Sequence, residues 1–163
     1  MFLCTIGGHV AVADGICDTE FGHCMKKLYN AKPRLTTYQE IGQYISHWAF
    51  PCGRKYEHLF TDSSIKTDIK KNSFTATCSE MLTLVPILHR YFQQVVLPRN
   101  QEVVAIKSMI ACFEVVILLL SVRCGAVTPD MLKQATEQYL DLFADAYGPN
   151  EMKPKHHYLL HLW

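Results

Sequence analysis

The sequence predicts an all-α domain of five to seven helices, including one kinked helix and one central apolar helix. Three observations support this class: helix-capping residues recur along the chain, one apolar run is long enough for a buried helix, and only one short segment alternates like a strand. At 163 residues with 49% hydrophobic side chains, the chain fits a single domain over residues 1–163 with a substantial core.

The first third of the chain contains one predicted strand and two predicted helices. Alternating valines predict a short strand at His9 to Ala13. A short helix is expected from about Thr19 to Tyr29. Thr37 and Glu40 have the spacing of a capping box, which predicts a helix through about Trp48.

A predicted loop and a predicted kinked helix occupy the middle of the chain. Clusters of Ser, Asp, Lys and Asn predict a long mobile loop from Cys52 to Thr75. Thr77 and Glu80 form a second capping box and open a helix through about Val96. Because proline lacks an amide hydrogen, Pro86 should kink this helix.

The most apolar run predicts a central helix from about Gln101 to Val122, capped by Asn100. Lys107 and Glu114 are seven residues apart, which places both charges on one helical face. A core helix with one wet edge is therefore favoured over the alternative, a membrane span, since each charge at a bilayer centre costs about 2.5 kcal/mol or more.

The last long helix is bounded by clear signals. Thr128 followed by Pro129 predicts its beginning, and Gly148 predicts its end. Its predicted core stripe is Leu132, Ala135, Tyr139, Leu142 and Ala146.

Cysteine usage and the amino-terminal composition indicate an intracellular protein. Seven cysteines form no CxxC pair, and the odd count leaves at least one without an intrachain partner, which is typical of reduced thiols. No Lys or Arg precedes Lys26, so the apolar start lacks the charged region of a signal peptide. The expected location is intracellular, with the nucleus as the compartment for a DNA-binding role, and no cofactor is predicted.

Basic residues are unevenly distributed, although the net charge of only +1 excludes a strong positive field over the whole protein. The stretch from Phe21 to Gln39 has no acidic residue, and two further lysines begin the last predicted helix, where the helix dipole favours anions. A solvated helix start is the alternative explanation for those two. The candidates for contact with a DNA backbone are Lys26, Lys27, Lys32, Arg34, Lys153 and Lys155.

Three carboxyl-terminal histidines are weak candidates for a metal site. His157 and His161 are four residues apart, so a helix would place both on one side with His156 nearby. No glutamate adjoins them as in an HExxH motif, and no acidic residue follows Glu151. The alternative is that they line the wet face of a helix whose leucines pack inward.

Two other chemical motifs are poorly supported. GGHVAVADG has glycines but neither the GxGxxG order nor a lysine followed by Ser or Thr, so it does not predict a nucleotide site. Cys24 beside His23 is expected to be an ordinary buried thiol, because nothing in the sequence supplies an orienting third group.

Three stretches together resemble a known family: HVAVADGICDTEFGHCMKKL, FTATCSEMLTLVPILHRYFQQVVLP and KPKHHYLLHL. In this order they resemble the carboxyl-terminal half of transposases, or transposase-derived proteins, of CACTA (EnSpm-like) mobile elements. In that family an Asp-x-Met-His motif closes a strand of an RNase H-like core and carries a catalytic aspartate. A helical insertion follows, ending in a Lys-x-x-His-x-x-x-His-like stretch before a catalytic glutamate.

The resemblance implies a helical insertion domain without its active site. His9 matches the family histidine, but Gly8 replaces the methionine and Ile6 falls where the aspartate belongs. The chain reaches Trp163 before any glutamate follows the histidine stretch. Two-metal phosphoryl transfer needs carboxylates at such positions, and isoleucine offers no oxygen ligand.

The expected function is therefore that of a catalytically inactive, transposase-derived domain that binds DNA or another protein weakly. One alternative is a helical protein-interaction module that uses an exposed apolar groove and has no nucleic-acid role. A second is a metal-dependent hydrolase that uses the carboxyl-terminal histidines. Asp14 and Asp18 are the nearest substitutes for the missing aspartate, but Asp14 follows the predicted strand and Asp18 is expected to cap the next helix.

Overall fold

A computed structural model describes residues 12–161, and this part of the chain is all-α, without a strand. The predicted fold class is confirmed. A π-helical segment, Val12–Cys17, leads into the first α-helix. The α-helices are α1 Asp18–Asn30, α2 Tyr38–Ser46, α3 Asp62–Lys71, α4 Cys78–Tyr91, α5 Val103–Ser121, α6 Pro129–Tyr147 and α7 Pro154–Leu159.

Local capping explains where several helices begin. The hydroxyl of Thr37 accepts a hydrogen bond from the amide of Glu40 at 3.1 Å, and the Glu40 carboxylate accepts one from the Thr37 amide at 3.2 Å. The same reciprocal arrangement joins Thr77 and Glu80 at the start of α4. Thr128 caps α6 in the same position relative to its helix. These predicted caps are confirmed, since each depends on residues only three apart.

The helix α4 contains Pro86 and is the kinked helix predicted from the sequence. The α-helical part ends at Tyr91, and the chain continues through a π-helical segment, Phe92–Val96, and a 3₁₀ turn, Leu97–Arg99. The predicted extent through Val96 is therefore helical, although its last five residues are wound more loosely than an α-helix.

The helix α5 is the central element and packs against α1, α4 and α6. By length and composition α5 could cross a membrane, yet 61% of its apolar window is buried inside the protein, as in a core helix. Lys107 is exposed, and the half-exposed Glu114 lies 3.6 Å from the His89 ring of α4, so both predicted charges lie at the wet edge. The helix begins two residues later than expected, because Asn100 and Glu102 both adopt left-handed backbone conformations.

The predicted loop from Cys52 to Thr75 is wrong, since α3 occupies Asp62–Lys71. This polar helix is held by Asp68, which is 1% exposed. The Asp68 carboxylate accepts hydrogen bonds from the Tyr38 hydroxyl at 2.9 Å and the Thr75 hydroxyl at 2.7 Å. This buried carboxylate with two donors joins Ile65, which lies in the core, on the buried side of α3.

The amino-terminal strand prediction is wrong where it can be compared. Val12 and Ala13 belong to the π-helical segment, whereas His9 and the two residues after it lie outside the described residues. Asp18 does not cap α1 as expected, because it is already the first α-helical residue and Cys17 precedes it in helical conformation.

The helix α1 passes unusually close to the end of α3. A side chain at Gly22 would collide with the backbone of Asn72 and Ser73, so only glycine fits there. The Phe74 amide then donates a hydrogen bond to the Asp18 carbonyl at 2.9 Å. This contact fixes the position of α1 beside α3.

The two ends of the described chain are neighbours. The helix α7 packs against the Val12–Cys17 segment. The Lys153 ammonium donates a hydrogen bond to the Thr19 hydroxyl at 3.0 Å, and the Lys155 side chain lies directly against Gly15. The carboxyl-terminal segment therefore packs against the residues that precede and begin α1.

Candidate functional site

An open cleft of about 540 Å³ runs along the second half of α1. We call it the α1 cleft. Lys26, Lys27 and His23 line it from α1, and the end of α6 forms the opposite wall with Tyr147. Two of the six predicted DNA-contact residues therefore lie side by side in one concave surface.

Lys153, from the other end of the chain, lies beside the α1 cleft without lining it. Its ammonium is held on Thr19, one helical turn before His23. Burial lowers the pKa of His23, the nearby Glu151 carboxylate raises it, and the positive charges of Lys153 and Lys26 lower it further. Lys153 and Lys26 thus both act on the ring of His23, and two basic segments far apart in sequence meet along one face of α1.

Acidic side chains offset part of this positive charge. The Lys27 ammonium is 3.9 Å from the Glu102 carboxylate and donates to the Ala146 carbonyl at 2.7 Å. Glu151 lies 3.6 Å from the His23 ring. Lys26 donates instead to the neutral Asn72 side chain at 3.1 Å, so its charge is better placed to meet an external anion.

The remaining predicted DNA-contact residues lie elsewhere. Lys32 and Arg34 are exposed in the segment after α1, and the Arg34 guanidinium packs over the Tyr29 ring at 4.0 Å. Lys155 crosses the start of the described chain at Gly15. The structure therefore brings together three of the six residues, not all of them.

The three candidate metal-binding histidines do not converge. His156 is 2% exposed and lies between the rings of Tyr139 and Phe143. Its Nδ1 atom accepts a hydrogen bond from the Lys153 amide at 2.9 Å. His157 and His161 are exposed, with their Nε2 atoms 3.3 Å apart.

Metal coordination by all three histidines would require His156 to leave the core. Within residues 12–161, no group of three or more His, Cys, Asp or Glu side chains could hold a metal ion. The geometry therefore gives no support to the hydrolase alternative.

Sequence reasoning missed a buried polar cluster around Glu20. This side chain is fully buried on α1, and the hydroxyls of Tyr147 and Tyr139 donate hydrogen bonds to it at 3.0 Å and 3.4 Å. Burial raises the pKa of Glu20 to about 8, although Ser108 and the two tyrosines act in the opposite direction. The carboxyl is therefore mostly protonated at neutral pH.

The cluster continues to His156, whose Nε2 atom is 3.2 Å from the Tyr139 hydroxyl. Burial lowers the pKa of His156. Because Nδ1 of the neutral ring accepts the Lys153 amide, Nε2 carries the proton and donates to the Tyr139 oxygen. A hydrogen-bonded chain therefore connects α7, α6 and α1 through the core.

Cys24 is a core thiol, as the sequence indicated. Its sulfur donates a weak hydrogen bond to the Ala105 carbonyl at 3.7 Å, and burial raises its pKa well above the ordinary value. A nucleophilic cysteine requires the opposite, a lowered pKa and access to substrate.

Ile6 and His9, which stand at positions of the degenerate Asp-x-Met-His motif, lie outside the described part of the chain. Asp14 lies in the π-helical Val12–Cys17 segment. Asp18 is buried at the start of α1. Asp14 therefore lies on a helical turn, and no strand precedes it within the described residues.

No protein-family model, curated protein or solved structure matches this chain. The likeness to CACTA-type transposases therefore stays a prediction that rests on the three stretches quoted above.

Proposed function

We propose that this chain is a catalytically inactive, transposase-derived helical domain that contacts a DNA phosphate backbone weakly through the α1 cleft. The observation that supports this most directly is the meeting of Lys26 and Lys153 on either side of His23. Clustered ammonium groups on an open surface neutralise neighbouring phosphates, whereas the same groups scattered over the protein would not.

The charge balance of the α1 cleft explains why the interaction is weak. Glu102 and Glu151 repel phosphate and partly neutralise Lys27 and His23. With about two effective phosphate contacts, affinity should follow salt with a log–log slope near −2. Such a slope corresponds to contact with the backbone, which carries no sequence information directly.

The absence of catalysis follows from the ligand chemistry that the family motif requires. Ile6 replaces the carboxylate at the first metal position, and the buried His156 is separated from the exposed pair His157 and His161. Divalent cations in phosphoryl transfer are placed by several carboxylates, which supply much of the transition-state stabilisation.

The test is duplex binding measured by fluorescence anisotropy between about 50 and 200 mM salt. The double variant Lys26→Gln with Lys153→Gln should flatten the log–log slope by about 2, which weakens binding most at low salt. The matched control, Lys55→Gln with Lys133→Gln, removes two exposed lysines that neither line the α1 cleft nor act on His23. Equal slopes for the two double variants, or salt-independent binding, would contradict the proposal.

A second surface favours the protein-interaction alternative. A cleft of about 420 Å³ lies between the end of α2 and the end of α4. Tyr44, Trp48 and Arg90 line it, with the Arg90 guanidinium 5.9 Å from the centre of the Trp48 ring. Trp48 is 38% exposed, although most large hydrophobic side chains of the fold are buried.

The occupant that fits this second cleft is a peptide with an acidic side chain beside an apolar one. Its other lining residues, His47 and Gln94, are not acidic, and Arg90 donates its hydrogen bond to the neutral Gln94 side chain at 3.1 Å. Tryptophan and arginine at the centre of an exposed cleft are typical of binding hot spots.

Tryptophan fluorescence distinguishes the two functions. Trp48 and Trp163 are the only tryptophans, so Trp163→Phe leaves Trp48 as the single reporter. An acidic amphipathic peptide should shift its emission, and the same peptide with glutamines should do so far less. Arg90→Gln should abolish that difference, while Lys133→Gln should preserve it. No response to either peptide would leave the DNA proposal as the better supported function.

A further inference from the structure

Two thiols from opposite parts of the sequence meet in the core. The sulfur atoms of Cys17 and Cys112 are 3.5 Å apart, and both side chains are buried. Cys17 ends the π-helical Val12–Cys17 segment, and Cys112 lies in the middle of α5. We propose that Cys17 and Cys112 are a redox modification site that forms a reversible intrachain disulfide.

The geometry requires little movement. A disulfide has its sulfur atoms about 2.05 Å apart, so the two sulfurs need to approach by about 1.5 Å. The Val12–Cys17 segment, which contains Cys17, already packs against α5, which contains Cys112. The bond therefore closes an existing contact and does not draw together separate parts of the fold.

Cys24 shows that burial alone does not create such a pair. It is as fully buried as Cys17 and lies on the neighbouring helix α1. Its sulfur, however, contacts the Ala105 carbonyl at 3.7 Å. The three buried thiols among the described side chains therefore separate into one adjacent pair and one matched control.

The oxidant that the chemistry requires is a low-molecular-weight disulfide such as oxidised glutathione. The Cys17 thiolate attacks one sulfur of the oxidant, forming a mixed disulfide and releasing one glutathione thiolate. The Cys112 thiolate then attacks the Cys17 sulfur and releases the second. Two protein thiols are oxidised, one oxidant is reduced to two thiols, and the two protein protons pass to the released thiolates.

Access to the pair is controlled by opening of the amino-terminal segment. Burial raises the pKa of Cys112 well above its ordinary value, so the closed fold holds little reactive thiolate. The Val12–Cys17 segment is only six residues long and is shorter than α5. Its local opening therefore costs less free energy than opening α5, and it gives the oxidant access to the pair. Once formed, the bond ties this segment to α5 and closes a loop that contains most of the described fold.

The experiment uses the full chain with Cys4, Cys52, Cys78 and Cys124 replaced by serine, which leaves the three core thiols. After incubation with oxidised glutathione, the folded protein should lose two hydrogens in intact-mass analysis. Peptide mapping should show a 17–112 linkage, and the melting temperature should rise by roughly 5–15 °C. Adding Cys24→Ser should change none of these results, whereas adding Cys112→Ser should abolish the linkage.

Wild-type protein provides a second measurement, in case the serine background folds poorly. The same 17–112 peptide should appear in non-reducing maps of the oxidised wild type and vanish after reduction. Stable glutathione adducts without the linkage, unchanged core thiols in oxidised wild-type protein, or linkage through Cys24 would each overturn the proposal. The outcome is independent of DNA binding, so it can fail or succeed without affecting the proposed function.

Discussion

Replacing Glu20 with glutamine should remove a pH dependence of stability that the buried carboxyl imposes on the fold. In the folded protein the pKa of Glu20 is raised to about 8 from an ordinary value of 4.5, because the side chain is fully buried. The folded state therefore holds a proton that the unfolded state has already released at neutral pH. Stability from this group is fully present at low pH and is lost as pH rises through the folded pKa.

The size of the effect follows from the pKa difference. At pH 6.5 the unfolded carboxyl is ionised and the folded one is protonated, which contributes about 2 kcal/mol, at 1.36 kcal/mol per pH unit below the folded pKa. At pH 8.5 both states are mostly ionised and the contribution is close to zero. The free energy of unfolding should thus fall by about 2 kcal/mol across this window because of Glu20 alone.

The two buried histidines affect wild type and variant alike. Burial lowers the pKa values of His23 and His156 from 6.5, so these rings cost stability as pH falls through 6.5, at the lower edge of the window, and do so in both proteins. The assay is urea unfolding of wild type and Glu20→Gln at several pH values from 6.5 to 8.5. Glutamine matches the protonated carboxyl in size and hydrogen bonding, so the difference between the two profiles isolates the titration. Parallel profiles would refute the assignment of a raised pKa to Glu20.

Four further outcomes are expected. Gly22→Ala should lower the free energy of unfolding by about 2–3 kcal/mol, because the new methyl group meets the backbone of Asn72 and Ser73. Gly42→Ala, where the nearest neighbour is Phe60 at 3.5 Å, should raise it by up to about 1 kcal/mol. Equal effects of the two variants in urea unfolding would contradict the close approach of α1 and α3. His156→Ala should cost about 2–3 kcal/mol because it leaves buried hydrogen-bonding groups unpaired, while the exposed His157→Ala should change stability by less than about 0.5 kcal/mol, and thermal melts of the pair check this. Hydrogen exchange should be slowest around Ile110 to Leu120, and faster exchange there than in α3 would argue against α5 as the core. The purified chain should neither nick nor join DNA with magnesium or manganese, and metal-dependent cleavage that is lost on Asp14→Ala, or on changing all three carboxyl-terminal histidines together, would establish an independent metal site.

The sequence predicted the helix boundaries best where the signal is local. Thr37 with Glu40, and Thr128 with Pro129, determine helix starts through contacts within one turn, so their outcome does not depend on the rest of the fold. The central helix was also predictable, because a long apolar circumference interrupted by two charges on one face can be accommodated only by burial with a wet edge.

The predictions that failed depend on distant partners. The helix α3 has only Ile65 and Ile69 as apolar residues, and its buried Asp68 depends on the Tyr38 hydroxyl, thirty residues away. The predicted stripe of α6 faces the core, but Ala135 and Leu142 are only partly buried, while Thr136 and Phe143 beside them are fully buried. A small rotation of a helix about its axis is decided by its neighbours, not by its own sequence.

The candidate site shows the same division. The basic residues were visible as a patch in the sequence, but which of them converge depends on α7 packing beside α1. Glu20 gave a partial signal, because it lies four residues before Cys24 on the apolar side of α1. Its partners Tyr139 and Tyr147 are more than a hundred residues away, so no local pattern could show that its carboxyl is buried and protonated.

The packing of α7 against Val12–Cys17 places the first and last elements of the described chain side by side. The Lys153 ammonium binds the Thr19 hydroxyl, and the Lys155 side chain lies against Gly15. A domain with adjacent ends can be carried inside a surface loop of another domain without separating the host residues on either side. Because these elements are adjacent, the chain can also be circularly permuted. A short linker would join α7 to Val12–Cys17, and the chain would be opened at the exposed Gly125 between α5 and α6, with every helix contact described above retained.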